Sequence, residues 1–157
     1  MAMVPSSEAK RVMSEVITKL HSPMAYVAAV SENQADVIML AWSYGAMSSC
    51  DMTNKPIDYH VSKMGLWGDA LRKKRVFITN DYPNCKEPSK HGYPAGHVTV
   101  KRHMNGPVMS KGKVVAIIGV GNSSKEYTAD DEKVFSAYLQ SLSDKMAEVR
   151  DAAFKKV

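Results

Sequence analysis

The chain of 157 residues lacks most of what special architectures require. Its two cysteines, Cys50 and Cys85, are too few for a disulfide scaffold and match no CxxC spacing, so they read as free thiols in a reducing compartment. Nine glycines and seven prolines without a period exclude a collagen-like rod and a low-complexity tract. There is no uncharged apolar run of about 18 residues, the least a membrane-spanning helix needs. Glu8, Lys10 and Arg11 stand where a signal peptide would carry its apolar stretch, which points to a cytoplasmic chain. The charge excess is small, 21 Lys and Arg against 16 Asp and Glu, and is spread along the chain. Its one dense basic run, Arg72 to Arg75, suits the negative end of a helix dipole, so no nucleic-acid partner is expected.

What is present is an ordinary globular composition, 45% hydrophobic and 24% charged. A domain of this length buries roughly 68 to 70% of its unfolded surface, enough for a core without metal or disulfide staples. A single domain over residues 1–157 is therefore expected, with an N-terminal helix over 1–22 and a C-terminal helix over 128–157. The first helix follows Pro5, Ser6 and Ser7, with Val12, Met13, Val16, Ile17 and Leu20 at spacings of three and four, and ends near Pro23.

Tyr26 to Val30 and Val37 to Trp42 are rich in β-branched and aromatic residues around a polar turn, which predicts a hairpin. Gly45 to Ile57 shows no period and reads as loop. Leu66, Trp67, Ala70 and Leu71 share a helical face, and Val76 to Thr79 reads as a short buried strand. Asn80 to Gly96 holds three prolines and two glycines and cannot be a continuous helix or central strand; loops this long are usually functional or disordered. Val98 to Met109 and Lys113 to Val120 predict a second hairpin turning at Ser110, Lys111 and Gly112.

Thr128 with Asp131 three residues on reads as a capping box opening one long final helix. Along it Phe135, Leu139, Leu142, Met146, Val149 and Ala153 are spaced four, three, four, three and four. Such a seam can pack on the domain's own sheet or on a second copy as a coiled-coil dimer, and both readings stand at this point.

Helix, hairpin, loop, helix, strand, long loop, hairpin and helix in that order make an α+β domain with an antiparallel sheet. Within it runs a more specific series: Gly65-Leu66-Trp67-Gly68-Asp69, Ile78-Thr79-Asn80-Asp81-Tyr82, Gly92-Tyr93-Pro94-Ala95-Gly96-His97-Val98, Arg102, Pro107-Val108, and Val114-Val115-Ala116 leading to Gly119-Val120-Gly121-Asn122. This series resembles the GAF family, in particular GAF domains joined to histidine kinases, chemotaxis receptors and cyclic-di-nucleotide enzymes. The family signature of Asn and Lys, then Phe, then Asp and Glu is matched by Asn122, Lys125, Tyr127, Asp131 and Glu132. Two serines separate the Asn from the Lys and Tyr replaces Phe, so the motif is read here as structural.

The resemblance implies a six-stranded antiparallel sheet, with the terminal helices packed on one face and a ligand pocket under loops on the other. It implies a signal-transduction sensor, not an enzyme, that binds a small molecule and passes its occupancy to an effector module of the parent protein. In that frame Trp42, Tyr44, Trp67, Tyr82 and Tyr93 can wall the pocket, while Asn80, Asp81, His97 and Arg102 can supply polar contacts. The helix seam Phe135, Leu139, Leu142, Met146 and Val149 would join two copies in a homodimer.

Two alternatives remain open on the sequence, a haem- or metal-based sensor and a GAF dimerisation module without a ligand. Cys85, His91, His97 and His103 recur every six residues, and Cys85 or His97 would be the ligand to such a group. Bilin attachment in related sensors uses Cys followed by His, whereas Asp51 and Lys86 follow the cysteines here. Free-methionine sulfoxide reductases share the fold and use cysteines, but the surroundings of Cys50 and Cys85 do not resemble theirs.

Overall fold

In the computed structural model, which describes residues 7–42, 58–60, 68–81 and 101–155, the first apolar stripe forms α1 (Ser7–Lys19). Ala9, Val12 and Val16 bury its inner face completely. The helix ends where His21 turns to φ 48° and the Ser22 amide donates to the Ile17 carbonyl, just before Pro23. The chain then enters β1 (Met24–Val30) and returns as β2 (Asp36–Trp42), antiparallel, with Val30 opposite Val37 and Tyr26 opposite Trp42. Asn33 closes the turn by accepting from the Ser31 hydroxyl and the Ala35 amide.

Next come β3 (Asp58–His60), α2 (Asp69–Lys73) and β4 (Phe77–Thr79), followed by β5 (His103–Ser110) and β6 (Lys113–Gly121) as a long antiparallel hairpin. Gly112, with φ 80°, supplies the left-handed turn residue. Among the described residues the sheet has six antiparallel strands in the order β3-β2-β1-β6-β5-β4. This is the α+β architecture expected from the sequence, apart from β3, whose three residues carry no periodic signal. The loop read over Gly45 to Ile57, the residues Leu66 and Trp67, and Val98 to Val100 at the predicted start of the second hairpin lie outside the described residues.

Thr128 caps α3 (Ala129–Ser141) through the capping box with Asp131. Here the expectation of one long helix needs correction. Leu142, at φ −95° and ψ 0°, interrupts it, and the chain resumes as α4 (Ser143–Lys155). The Leu142 amide turns back to Leu139, while the hydroxyls of Ser141 and Ser143 donate to the carbonyls of Tyr138 and Met109. Serines that bind backbone outside the helical ladder favour a break, and the Ser143 bond fixes it against β5.

The dimer seam is the second correction. Phe135 (1% exposed), Leu139, Leu142 (6%) and Met146 (0%) belong to the chain's own core, with Met104 and Val108 of β5, Val115 and Ile118 of β6, and α1. Val149 and Ala153 pack half-buried against the same cluster. Residues already removed from solvent within one chain have no area left for a second copy, so the seam holds helix to sheet. Arg150, 8% exposed, fastens α4 to the first hairpin through the Val30 carbonyl and Glu32.

Candidate functional site

Side chains alternate across a strand, so each strand of this sheet serves two layers. On β5, Met104 and Val108 point to the terminal helices, and a Cβ added at Gly106 would meet Leu139, Val76 and Phe135. The alternate residues His103 and Asn105 point to the opposite face. That face carries a second, smaller apolar cluster of Ala28, Val30, Val37, Ile117 and Val114 with Ala70 and Leu71 of α2.

The registers place one row of residues across this second face: Trp42, Tyr26, Gly119, Asn105 and Phe77, on five successive strands. Gly119 is the low point of the row. A Cβ there would lie 2.2 Å from the Tyr26 ring and 2.3 Å from Asn105 Oδ1, so its absence lets the tyrosine reach across β6. The Tyr26 hydroxyl donates to Asn105 Oδ1, and Asn105 Nδ2 lies 2.6 Å from His103 Nδ1. Asn105 is 2% and His103 9% exposed. The Phe77 ring meets the His103 ring edge to face at 5.8 Å.

Burial sets the charge state of this network. It pushes the Tyr26 phenol far above the ordinary tyrosine value, and lowers His103 to about 4 despite the opposing attraction of Asp69. Both groups are therefore neutral near pH 7. Asp69, 2% exposed at the start of α2, is compensated by Arg72 at 2.7 Å and Lys73 at 3.6 Å. The basic run read from the sequence as a helix-end feature thus begins with the partners of a buried carboxylate. In chemical terms the face offers neutral hydrogen-bonding groups bordered by aromatic rings.

The structure brings some of the expected contact residues to this face and gives others different work. Trp42 stands in the row, half-buried beside Tyr26. Asn80 instead clamps the backbone of Tyr127, accepting from its amide at 2.8 Å and donating to its carbonyl at 3.0 Å. Arg102 donates to the Ser123 carbonyl, and its buried Nε has no hydrogen-bond partner among the described residues. Asp81 is exposed. Tyr44, Trp67, Tyr82, Tyr93 and His97 lie outside the described residues, as do Cys50, Cys85 and His91. Among the described residues no three of His, Cys, Asp and Glu group as metal ligands would.

The signature residues near β6 are structural. Asn122, at φ 59°, accepts the Lys101 amide, and the Tyr127 hydroxyl bonds Ser22 at 2.6 Å. A surface cleft between α4 and the hairpin turns, lined by Lys111, Asp144 and Glu148 among others, lies away from the network and is crossed by the ion pairs of Glu32 with Lys113 and Arg150.

Sequence reasoning does not single out Tyr26, Asn105 or Asp69 as site residues, and marks His103 only as one of four residues spaced six apart. The available signals were the polar alternation His-Met-Asn-Gly inside a strand and a glycine within the apolar run of β6.

A family model described as a GAF domain matches residues 6–146. The chain is 37% identical over 128 residues to the methyl sulfide methyltransferase-associated sensor of Methanosarcina acetivorans, an alignment covering 82% of this chain and 13% of that protein. The chain thus spans about an eighth of that relative's length. Among solved structures it is similar to the GAF domain of a phosphoenolpyruvate-protein phosphotransferase from Coxiella burnetii, with TM-score 0.74, 16% identity, and 92% and 83% of the two chains covered. It is also similar to a type II free methionine-R-sulfoxide reductase from Thermoplasma acidophilum, with TM-score 0.64, 16% identity, and 94% and 92% covered. At such identities the structural likenesses speak for the fold alone.

Proposed function

The chain belongs to the GAF domain family, and from that premise we propose that it is a sensory domain that binds a small molecule on the sheet face carrying Tyr26, Asn105 and His103. One observation carries the reading: three polar side chains, two of them nearly fully buried, are bonded to one another on a sheet face that also carries the second apolar cluster. An all-apolar layer would fill that space at lower cost, whereas a few placed polar groups among apolar and aromatic walls are what small-molecule sites use. Trp42 and Phe77 flank the row and would wall the ligand.

The domain itself performs no chemistry in this reading. β5 would carry the signal, since His103 and Asn105 on one side alternate with Met104 and Gly106, which meet the terminal-helix layer on the other. A ligand acts only through its different affinity for two arrangements of that layer, typically about 1 to 3 kcal/mol. An effector module elsewhere in the parent protein would read the change. The output is a shift of α3 and α4 on the sheet, because their apolar seam is already occupied there.

A metabolite screen by thermal shift on the full chain tests the reading. One compound class is expected to raise the melting temperature of the parent chain and to lose that effect in Trp42→Ala and Asn105→Leu. A screen without hits, or hits indifferent to both substitutions, would count against it.

A further inference from the structure

We propose that α4 is the moving part of the helix layer, pivoting at Leu142 and held toward its far end by an electrostatic latch, Arg150 seated on the β1–β2 hairpin. The inference deepens the sensory reading, on which it rests for the ligand, by naming the element that answers occupancy and the contact that sets its position.

The two terminal helices are fastened in different ways. α3 is held by apolar burial, with Phe135 and Leu139 nearly closed to solvent. It is also tied to α1, where the Tyr138 hydroxyl donates to Glu15 and the Lys19 ammonium stands 5.3 Å from the centre of the Tyr138 ring. Among its described side chains α4 has one fully buried apolar residue, Met146, in its first turn. Beyond it Val149, Ala153 and Phe154 are half-buried, and the residue most removed from water is a cation, Arg150. Its guanidinium meets the Val30 carbonyl at 3.3 Å, Glu32 at 3.1 Å and Asp151 at 2.7 Å. A buried charge holds less firmly than apolar side chains of the same volume, and its best-attested use is to fix register. Arg150 therefore decides where α4 lies more than how tightly it is bound. The Glu32 side chain is 72% exposed, so the pair is strong enough to bias two settings and too weak to lock one.

The backbone supplies the pivot. α3 closes on itself through the bond from the Leu142 amide to the Leu139 carbonyl, and the ladder of α4 opens at the Leu142 carbonyl, which accepts from the Met146 amide. With the helical ladder interrupted there, a change of angle costs less than bending an unbroken helix. The Ser143 hydroxyl, bonded to the Met109 carbonyl, keeps the pivot on β5.

The hairpin joins the latch to the ligand row. Trp42 pairs with Tyr26 at its open end, while Val30 and Glu32 stand at its turn, about 13 Å along β1. Between the two ends the register shifts at Val27 and Ala28, an irregularity of the kind at which paired strands bend. A ligand bound beside Trp42 tilts the hairpin and moves the seat of Arg150, so α4 changes its angle while α3 rides with β5.

Hydrogen exchange read by mass spectrometry on the full chain, without added ligand, tests the latch. In Glu32→Gln the amides of α4 beyond Met146 are expected to exchange about two- to five-fold faster, with those of α3 unchanged. Lys113→Gln, which removes the other cation on Glu32 and leaves Arg150 its partner, is expected to leave both helices as in the parent. Acceleration of α3 and α4 together would overturn the pivot. An α4 indifferent to Glu32→Gln, or one that responds equally to Lys113→Gln, would overturn the latch. The expected exchange beside a metabolite screen without hits removes the sensory reading and leaves the latch, whereas hits beside unaltered exchange in Glu32→Gln do the reverse.

Discussion

Replacing Gly119 by alanine adds one methyl group at the low point of the second face, and the structure predicts the sign of its effect against the usual trend. Gly119 does not have a positive φ, so alanine is conformationally permitted there. In open space such a change stabilises by about 0.4 to 1 kcal/mol, because the unfolded chain loses freedom. Here the new Cβ would lie 2.2 Å and 2.7 Å from two atoms of the Tyr26 ring and 2.3 Å from Asn105 Oδ1, where ordinary contact begins near 3.4 Å.

Overpacking a fitted site costs about 1 to 3 kcal/mol, and parting Tyr26 from Asn105 leaves a buried amide oxygen unpaired at about 1 to 3 kcal/mol more. The net expectation is a loss of about 3 kcal/mol, read as a lower urea midpoint at unchanged slope. A cycle with Tyr26→Ala sharpens the test: removing the ring relieves the main clash, so the two changes together should cost less than their sum by about 1 to 3 kcal/mol. A Gly119→Ala protein as stable as the parent, or strict additivity in the cycle, would refute the packing argument for this face.

Three further outcomes follow from the same geometry. His103, lowered from 6.5 to about 4, is neutral when folded but takes up a proton when unfolded below pH 6.5, so stability is full above that pH and falls as the pH drops toward 4. The loss amounts to about 3 kcal/mol by pH 4, and His103→Gln should flatten the slope between pH 6.5 and 5; equal slopes in both proteins would show that the histidine is not the titrating group. Leu142→Lys should destabilise by roughly 3 to 5 kcal/mol in urea, because it places a charge in the core; a stably folded chain that changes only its sedimentation would restore the dimer seam. Asn80→Ala should cost about 1 to 3 kcal/mol by removing both bonds to the Tyr127 peptide, and a neutral effect would return Asn80 to the ligand contacts.

The elements that build this fold are legible where local chemistry dominates. The β-branched runs of β1, β2 and β6, the Thr128–Asp131 box and the Gly112 turn each declare themselves within a few residues. The seam on α3 and α4 shows where legibility ends. Spacings of four and three are the same whether the partner is another helix or a sheet, and two serines that break the helix at Leu142 look like any polar positions until Met109 is beside them.

The buried network was less visible still, because its members come from separate strands and meet through register. Tyr26 and Asn105 are far apart in the chain and touch only because β6 lies between their strands with a glycine at the crossing. Asn80 and Arg102 show the converse: polar residues beside a predicted long loop looked like ligand contacts, yet they fasten the segment that leads into α3.

The strand order has a consequence for how such a domain is made. β1, which precedes every other strand of this domain, has β6 as a central neighbour, with Ala29 opposite Ala116. The middle of the sheet therefore cannot close until β6 has been synthesised. Until then the hairpin of β1 and β2 waits with an open apolar edge, and its long-range pairing makes the final zippering slow. Substitutions that weaken β6 should accordingly harm yield in the cell more than they harm the purified protein, since they prolong the interval in which that edge is uncovered.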